Sequence, residues 1–165
     1  MDHVFTGEGV QKVDAKGRVS IPADYRAVLR GGDPNWSESK LPEFKIVYGD
    51  DRRDFLECFT IEAARTVDAK IGQLARGTVQ RRAAERLFYG QAMMATVDNT
   101  GRIVLPQKLR DKLSITDSAY FIAMSDTFQI WNPKTYGVEE TPVDEYLDSL
   151  NGADLWTVLE GGEGA

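Results

Sequence analysis

Short apolar alternations, punctuated by Gly, Pro and Asp, shape the first 60 residues and return after residue 90. Val19 and Ile21, and later Ile103 and Leu105, alternate with polar neighbours, the pattern of a strand with one buried face. Each pair follows an Asp-x-x-Gly step, Asp14 to Gly17 and Asp98 to Gly101, a type I turn signal. The pattern predicts two β-hairpins whose return strands begin at Arg18 and Arg102. Pro22 and Pro106 stand where strand gives way to helix, since the fixed φ of proline suits a first helical turn. "ADYRAVLR" then runs to a stop at Gly31. A second hairpin is expected in "FKIVYGDDRRDFLECF" (44–59), with "DDRRD" at its tip. Its counterpart is "AYFIAMSDTFQIW" (119–131), turning near Ser125 and Asp126. Thr60 and Asn132 are placed to cap the short helices that follow.

Between residues 61 and 90 the period changes to that of a helix. Val67, Ile71 and Leu74, then Val79, Ala83 and Leu87, form an apolar stripe on each side of a break at Gly77. After residue 139, "VDEYLDSL" and "ADLWTVLE" read as short amphipathic helices, and the closing "GGEGA" is expected to be disordered. The fold class expected is mainly β with short helices (α+β). Its organisation is a first module over 5–60, a helical connector over 61–90, a second module over 91–138 and an acidic, partly disordered tail over 139–165.

The modules are copies of one another. "DAKGRVSIP" (14–22) recurs as "DNTGRIVLP" (98–106), an offset of 84. The match widens to 13–29 over 97–113, adding Val13/Val97, Arg26/Arg110 and Leu29/Leu113. Further on, "DFLECFTIEAA" (54–64) resembles "DTFQIWNPKTY" (126–136) at an offset of 72. The difference of twelve residues is expected to be an insertion in the loop 31–44 of the first copy. Ordered similarity at fixed spacing marks a duplicated module.

Charge refines this picture. The 165 residues carry a net −6, yet nothing basic follows Lys134, and residues 139–165 hold eight acidic residues. Without that tail, 20 basic residues face 18 acidic ones, and residues 12–30 alone are net +3. No apolar run approaches the ~20 residues of a membrane span, and "MDHVFTGEGV" lacks the basic start and apolar centre of a secretory leader. One cysteine, Cys58, allows no intrachain disulfide and fits a reducing, cytoplasmic setting. One cysteine and one histidine are poor material for a zinc site, so no metal and no cofactor is expected.

Asp14, Asp98, Gly17 and Gly101 are accounted for by turn chemistry alone. The arginines are not, because a turn does not require Arg after its Gly. Alternation puts Lys16 and Arg18 opposite Val19 and Ile21, and twofold-like packing of the copies would set Arg18 and Arg102 side by side. Guanidinium groups so presented suit phosphate oxygens or guanine edges. The arginines of 61–90 read as a solvated helix face, with Arg81 and Glu85 an i, i+4 pair. Phe55, Phe59, Phe128 and Trp131 read as core. A catalytic dyad of Asp14 and Asp98 is disfavoured: two residues separate Asp from Gly, and basic side chains crowd the motif. With no Ser–His pairing and no phosphate-binding loop either, the chain is not expected to be an enzyme.

"F-x-G" at Phe5 and Gly7, "DAKGRVSIPADYR" and "RLFYGQAMMATVDNTGRIVLPQKLR" resemble the MraZ family of bacterial transcriptional regulators, tandem-repeat members of the SpoVT-AbrB superfamily. The resemblance spans about residues 1–140. It implies a pseudo-twofold, swapped-hairpin β-barrel built from two AbrB-like modules of one chain. It also implies ring-shaped homo-oligomers that bind double-stranded DNA at promoter direct repeats of the division and cell-wall gene cluster. The family's Asp-x-x-x-Arg contact motif maps onto Asp14 to Arg18 and Asp98 to Arg102. The resulting expectation is a cytoplasmic, nucleoid-associated repressor that contacts DNA through Asp14, Lys16, Arg18, Asp98 and Arg102, with Gly17, Gly101, Pro22 and Pro106 shaping the turns. A ring-forming protein scaffold without DNA binding, or an antitoxin-like module, are the alternatives.

Overall fold

The computed structural model describes residues 3–150 and 154–161. An Asp-x-x-Gly turn joins the first two strands of each copy, as expected. These strands do not pair into the expected hairpin ladder; among the described residues they are bridged only at Val13–Val19 of the first copy. In the first, β1 (Glu8–Lys12) leads to β2 (Arg18–Ser20), α1 (Ala23–Gly31), β3 (Glu43–Val47) and β4 (Phe55–Thr60). A connector of α2 (Ile61–Gly72), α3 (Val79–Glu85) and a one-turn π-helix (Arg86–Gly90) follows. The second copy repeats the order with β5 (Ala92–Thr96), β6 (Arg102–Val104), α4 (Gln107–Leu113), β7 (Ser118–Met124) and β8 (Thr127–Trp131). The chain forms two compact units, one up to Pro133 and one from Lys134. The second unit carries most of α5 (Pro133–Glu139), with α6 (Thr141–Ser149) and α7 (Leu155–Gly161). The two amphipathic tail helices are therefore present. Apart from Gly161, the residues of "GGEGA" lie outside the described chain.

The fold is α+β with antiparallel ladders throughout. Its larger sheet has the order β1-β7-β8-β4-β3-β5, and β2 pairs with β6 as a separate two-stranded ladder. Each copy thus lends its first strand to the other copy's second hairpin. These ladders do not close into the barrel that the resemblance implies: the larger sheet is open, with β1 and β5 at its edges. The physical reason lies in the return strands, which are three residues long and pair with each other instead of extending the sheet.

Register locates the insertion. Lys12 faces Ser118, and its repeat partner Thr96 faces Glu43, so Ser118 corresponds to Glu43, 75 positions earlier. In the β4–β8 ladder Glu57 faces Gln129, an offset of 72. Of the twelve extra residues in the first copy, nine therefore precede β3 and three lie in its hairpin tip, where the sequence suggested one insertion. The nine-residue insertion is held from inside. Asp33, a buried carboxylate, accepts the N–H groups of Asn35 and Glu43 at 3.0 Å each.

An aromatic cluster fills the space between the large sheet and α1. The Phe128 ring lies 4.9 Å from Tyr25, 5.0 Å from Phe5 and 5.9 Å from Phe121 by centroid, in tilted, edge and stacked arrangements respectively. Tyr25 keeps its buried hydroxyl satisfied by donating to the Gly7 carbonyl at 2.7 Å, and burial pushes its pKa up to about 12. Phe128 is core, as expected. Phe59 and Trp131 are also buried, and Phe55 stacks on Trp131.

The connector packs on a smaller core of Val47, Phe59, Ala63, Ala64, Ile71 and Phe88. Thr60 caps α2 by accepting the Ala63 N–H at 3.0 Å. Of the expected stripe Val79, Ala83 and Leu87, only Leu87, on the π-helix, packs on the core; on α3 Ala84 takes the inward place of Ala83, while Val79, its first residue, is exposed. Capping by Thr78, whose hydroxyl accepts the Arg81 N–H at 3.2 Å, sets where the helix starts and so which face it turns inward.

Replacing Phe128 by Ala empties the centre of the aromatic cluster and is expected to cost about 3–5 kcal/mol of stability, measured by urea unfolding of the full chain.

Candidate nucleic-acid interface

Asp14 organises the first turn through its carboxylate. Its Oδ1 accepts the N–H groups of Lys16 and Arg18, each at 2.9 Å, and its Oδ2 accepts Arg18 Nε at 2.6 Å. The Gly17 N–H donates to the Asp14 carbonyl at 2.9 Å, and Gly17 adopts a φ of +85° that favours glycine. Asp98 repeats the scheme, accepting the N–H groups of Thr100 and Arg102 at 2.9 Å each. Gly101 has a φ of +79°. The two arginines differ. Arg18 is pinned by its own carboxylate, whereas Arg102 Nε donates to Thr100 Oγ1 at 3.0 Å and stands 3.9 Å from Asp98. Thr100, which occupies the position of Lys16, supplies that alternative acceptor.

The β2–β6 ladder brings the arginines together. Arg18 faces Val104, Val19 faces Ile103 and Ser20 faces Arg102. Val19 and Ile103 are buried, so Arg18, Ser20, Arg102 and Val104 share the opposite, outer face. Both guanidinium side chains are partly exposed, at 38% for Arg18 and 34% for Arg102. A guanidinium held through Nε retains its terminal N–H groups for a phosphate or a guanine edge. Arg18 and Arg102 both line an open groove of about 700 Å³, together with Lys12, Asp14, Ser20 and Asp117. Lys16 lies exposed in the turn beside it.

Each turn is buttressed by the other copy. The Leu105 N–H donates to the Gly17 carbonyl at 2.7 Å, and the Ile21 N–H donates to the Gly101 carbonyl at 2.9 Å. Arg110 Nε donates to the Leu105 carbonyl at 2.9 Å and packs on Gly17, while the Arg26 guanidinium packs on Gly101. Pro22 and Pro106 fall one position before the helices, as N-caps with extended ψ of 142° and 155°, and not in the first turn. Their carbonyls accept the N–H groups of Arg26 and Arg110, at 3.0 and 3.1 Å, and so start the helices that carry these arginines. The sequence pointed to the turn residues and to the basic run 12–30 that begins at Lys12, but the cross-copy role of Arg26 and Arg110 depends on the tertiary fold. The matched Arg26/Arg110 pair in the repeat was the available signal.

A Cβ at Gly17 would meet the backbone carbonyl of Leu105, whereas one at Gly101 would meet the flexible end of Arg26. Both Gly→Ala changes also strain a positive φ, so each is expected to destabilise by about 1–3 kcal/mol. Gly17→Ala is expected to be the worse of the two in thermal unfolding. Backbone N–H groups, that of Arg18 at Asp14 and that of Arg102 at Asp98, hold both carboxyls below the usual aspartate pKa of 3.8. A depressed folded pKa adds stability above the unfolded value and loses it as pH falls through the folded one. Stability should therefore drop below about pH 4, and an Asp14→Asn/Asp98→Asn double variant should show a flatter acid limb in urea titrations at stepped pH.

The sequence has relatives among known proteins. A family model described as "MraZ protein, putative antitoxin-like" matches residues 88–140. The chain is 57% identical over 147 residues to a protein named "Transcriptional regulator MraZ" from Ruegeria pomeroyi, covering 88% of each. A protein of the same name from Ruegeria sp. (strain TM1040) is 52% identical over 167 residues, covering 100% of both. One from Cereibacter sphaeroides is 41% identical over 167 residues, covering 97% of this chain and 98% of its own. On identity of this degree across nearly the whole length, the chain belongs to the MraZ family.

Proposed function

We propose that this protein is a sequence-specific DNA-binding transcriptional regulator, with Asp14, Lys16, Arg18, Asp98 and Arg102 forming its DNA contact. The observation that carries the reading is the shared outer face of the β2–β6 ladder, where Arg18 and Arg102 stand together over a cationic groove. Arg18 and Arg102 read base edges or phosphates; Lys16 fixes register on the backbone; the aspartates hold the turns. The names of the relatives support regulation of transcription.

In the finer form of this reading, the exchanged strands form a pseudo-twofold, swapped-hairpin arrangement of two modules, 5–60 and 91–138, joined by the connector 61–90. The protein works in the cytoplasm, associated with the nucleoid, as a ring-shaped homo-oligomer that represses from promoter direct repeats of the division and cell-wall gene cluster. A ring places the same patch against successive repeats, so modest contacts multiply through effective concentration. A protein-binding scaffold is the second reading. It draws on the exposed apolar residues of the acidic tail, among them Val143, Tyr146, Trp156 and Leu159.

Arg18→Ala is expected to weaken binding to the DNA upstream of the protein's own gene by about 1–3 kcal/mol, with the oligomer intact by size exclusion. Gel shifts in which Arg18→Ala binds as the wild type does would reject the DNA reading. Selection of bound genomic fragments separates the alternatives, because a scaffold would enrich no short motif.

A further inference from the structure

The two copies offer two equivalent grooves, and the grooves have diverged. The first is lined by Val10, Lys12, Asp14, Arg18, Ser20 and Ser118, with Arg102 and Asp117. The second, of about 460 Å³, is lined at the matching places by Met94, Thr96, Asp98, Arg102, Val104 and Glu43. Lys12 has become Thr96, Ser20 has become Val104 and Ser118 has become Glu43. Arg102 lines both grooves, whereas Arg18 lines only the first.

The charge balance follows. Lys12, Arg18 and Arg102 face Asp14 and Asp117 in the first groove, and Arg18 already engages Asp14. In the second groove Arg102 alone faces Asp98 and Glu43, among the apolar surfaces of Met93, Met94, Val104 and Pro106. Met94 and Val104 are half exposed, at 50% and 53%. A phosphodiester entering the first groove meets an excess of cations and two serines. In the second it meets an excess of carboxylates and no lysine.

We propose that each chain grips the DNA backbone through the first groove only, where Lys12 and Arg102 complete a three-cation phosphate clamp around Arg18, and that Glu43 closes the equivalent groove to phosphate. This deepens the DNA-binding reading and rests on it. The clamp is composite, since Lys12 and Arg18 come from one repeat and Arg102 from the other. Lys12 lies on β1, outside the β2–β6 ladder that carries Arg18 and Arg102, and in the clamp it contacts backbone, which carries no sequence information. A chain with one open groove has a direction on the duplex, which suits direct repeats better than palindromes.

The test is fluorescence anisotropy of the full-length protein with DNA from upstream of its own gene, titrated with salt. Lys12→Ala should weaken binding and make the slope of log affinity against log salt shallower by about 1. Lys12→Arg should restore the slope, and Thr96→Ala, the same place in the other groove, should leave it unchanged. Glu43→Gln should tighten binding. An unaltered slope in Lys12→Ala, an equal change in Thr96→Ala, or unaltered affinity in Glu43→Gln would overturn the one-groove clamp while Arg18→Ala still weakened binding. Wild-type protein that binds no DNA would instead overturn the reading beneath it.

Discussion

A ladder of three residue pairs, β2 against β6, determines where both arginines of the candidate interface stand. Val19 and Ile103, at its centre, are buried against the main core, so the side chains on either side of them must point outward. The ladder is short, but it is clamped at both ends. Leu105 N–H reaches the Gly17 carbonyl, Ile21 N–H reaches the Gly101 carbonyl, and the helices that follow bring Arg110 and Arg26 against the same glycines. Any side chain at Gly17 would force this closure apart, because the obstacle there is backbone.

The rest of the fold makes that closure possible by exchange. Because β1 pairs with β7 and β5 with β3, neither copy can bury its apolar faces alone. The shared core contains Phe5, Tyr25 and Phe44 from the first copy beside Phe121 and Phe128 from the second. Hydrophobic burial on this scale is non-directional, so it holds the copies together without specifying their angle. The ladders and the buttressed turns supply the angle. Stability and geometry therefore come from different interactions in the same molecule.

Duplication creates two equivalent surfaces, and substitution has made them unequal. The changes cluster where they alter charge: Lys12 against Thr96, Ser118 against Glu43, Lys16 against Thr100. The last also changes how the arginine is held, because Thr100 gives Arg102 a hydroxyl to bond where Arg18 has only its carboxylate. Net charge obscures this. The chain is −6 overall, but eight of its acidic residues lie in 139–165, a segment rich in exposed apolar side chains.

Local chemistry was legible in the chain itself. Asp14 and Asp98 form turns with glycine at the fourth position because the required backbone conformation lies within the span of a few residues. The strands beginning at Arg18 and Arg102, the Thr60 cap and the Arg81–Glu85 pair follow for the same reason. Periodicity was weaker evidence where a helix start could shift, as the outward rotation of Val79 shows. Other features depend on contacts between distant residues and were beyond any local pattern. Among them are the open sheet in place of a closed barrel, the split of the insertion into nine and three residues, and the packing of Arg26 and Arg110 behind the opposite turn. The sequence alone determined a duplicated turn carrying an arginine; only the tertiary structure decided that the two arginines face the same way, because their direction depends on which strand each return strand pairs with.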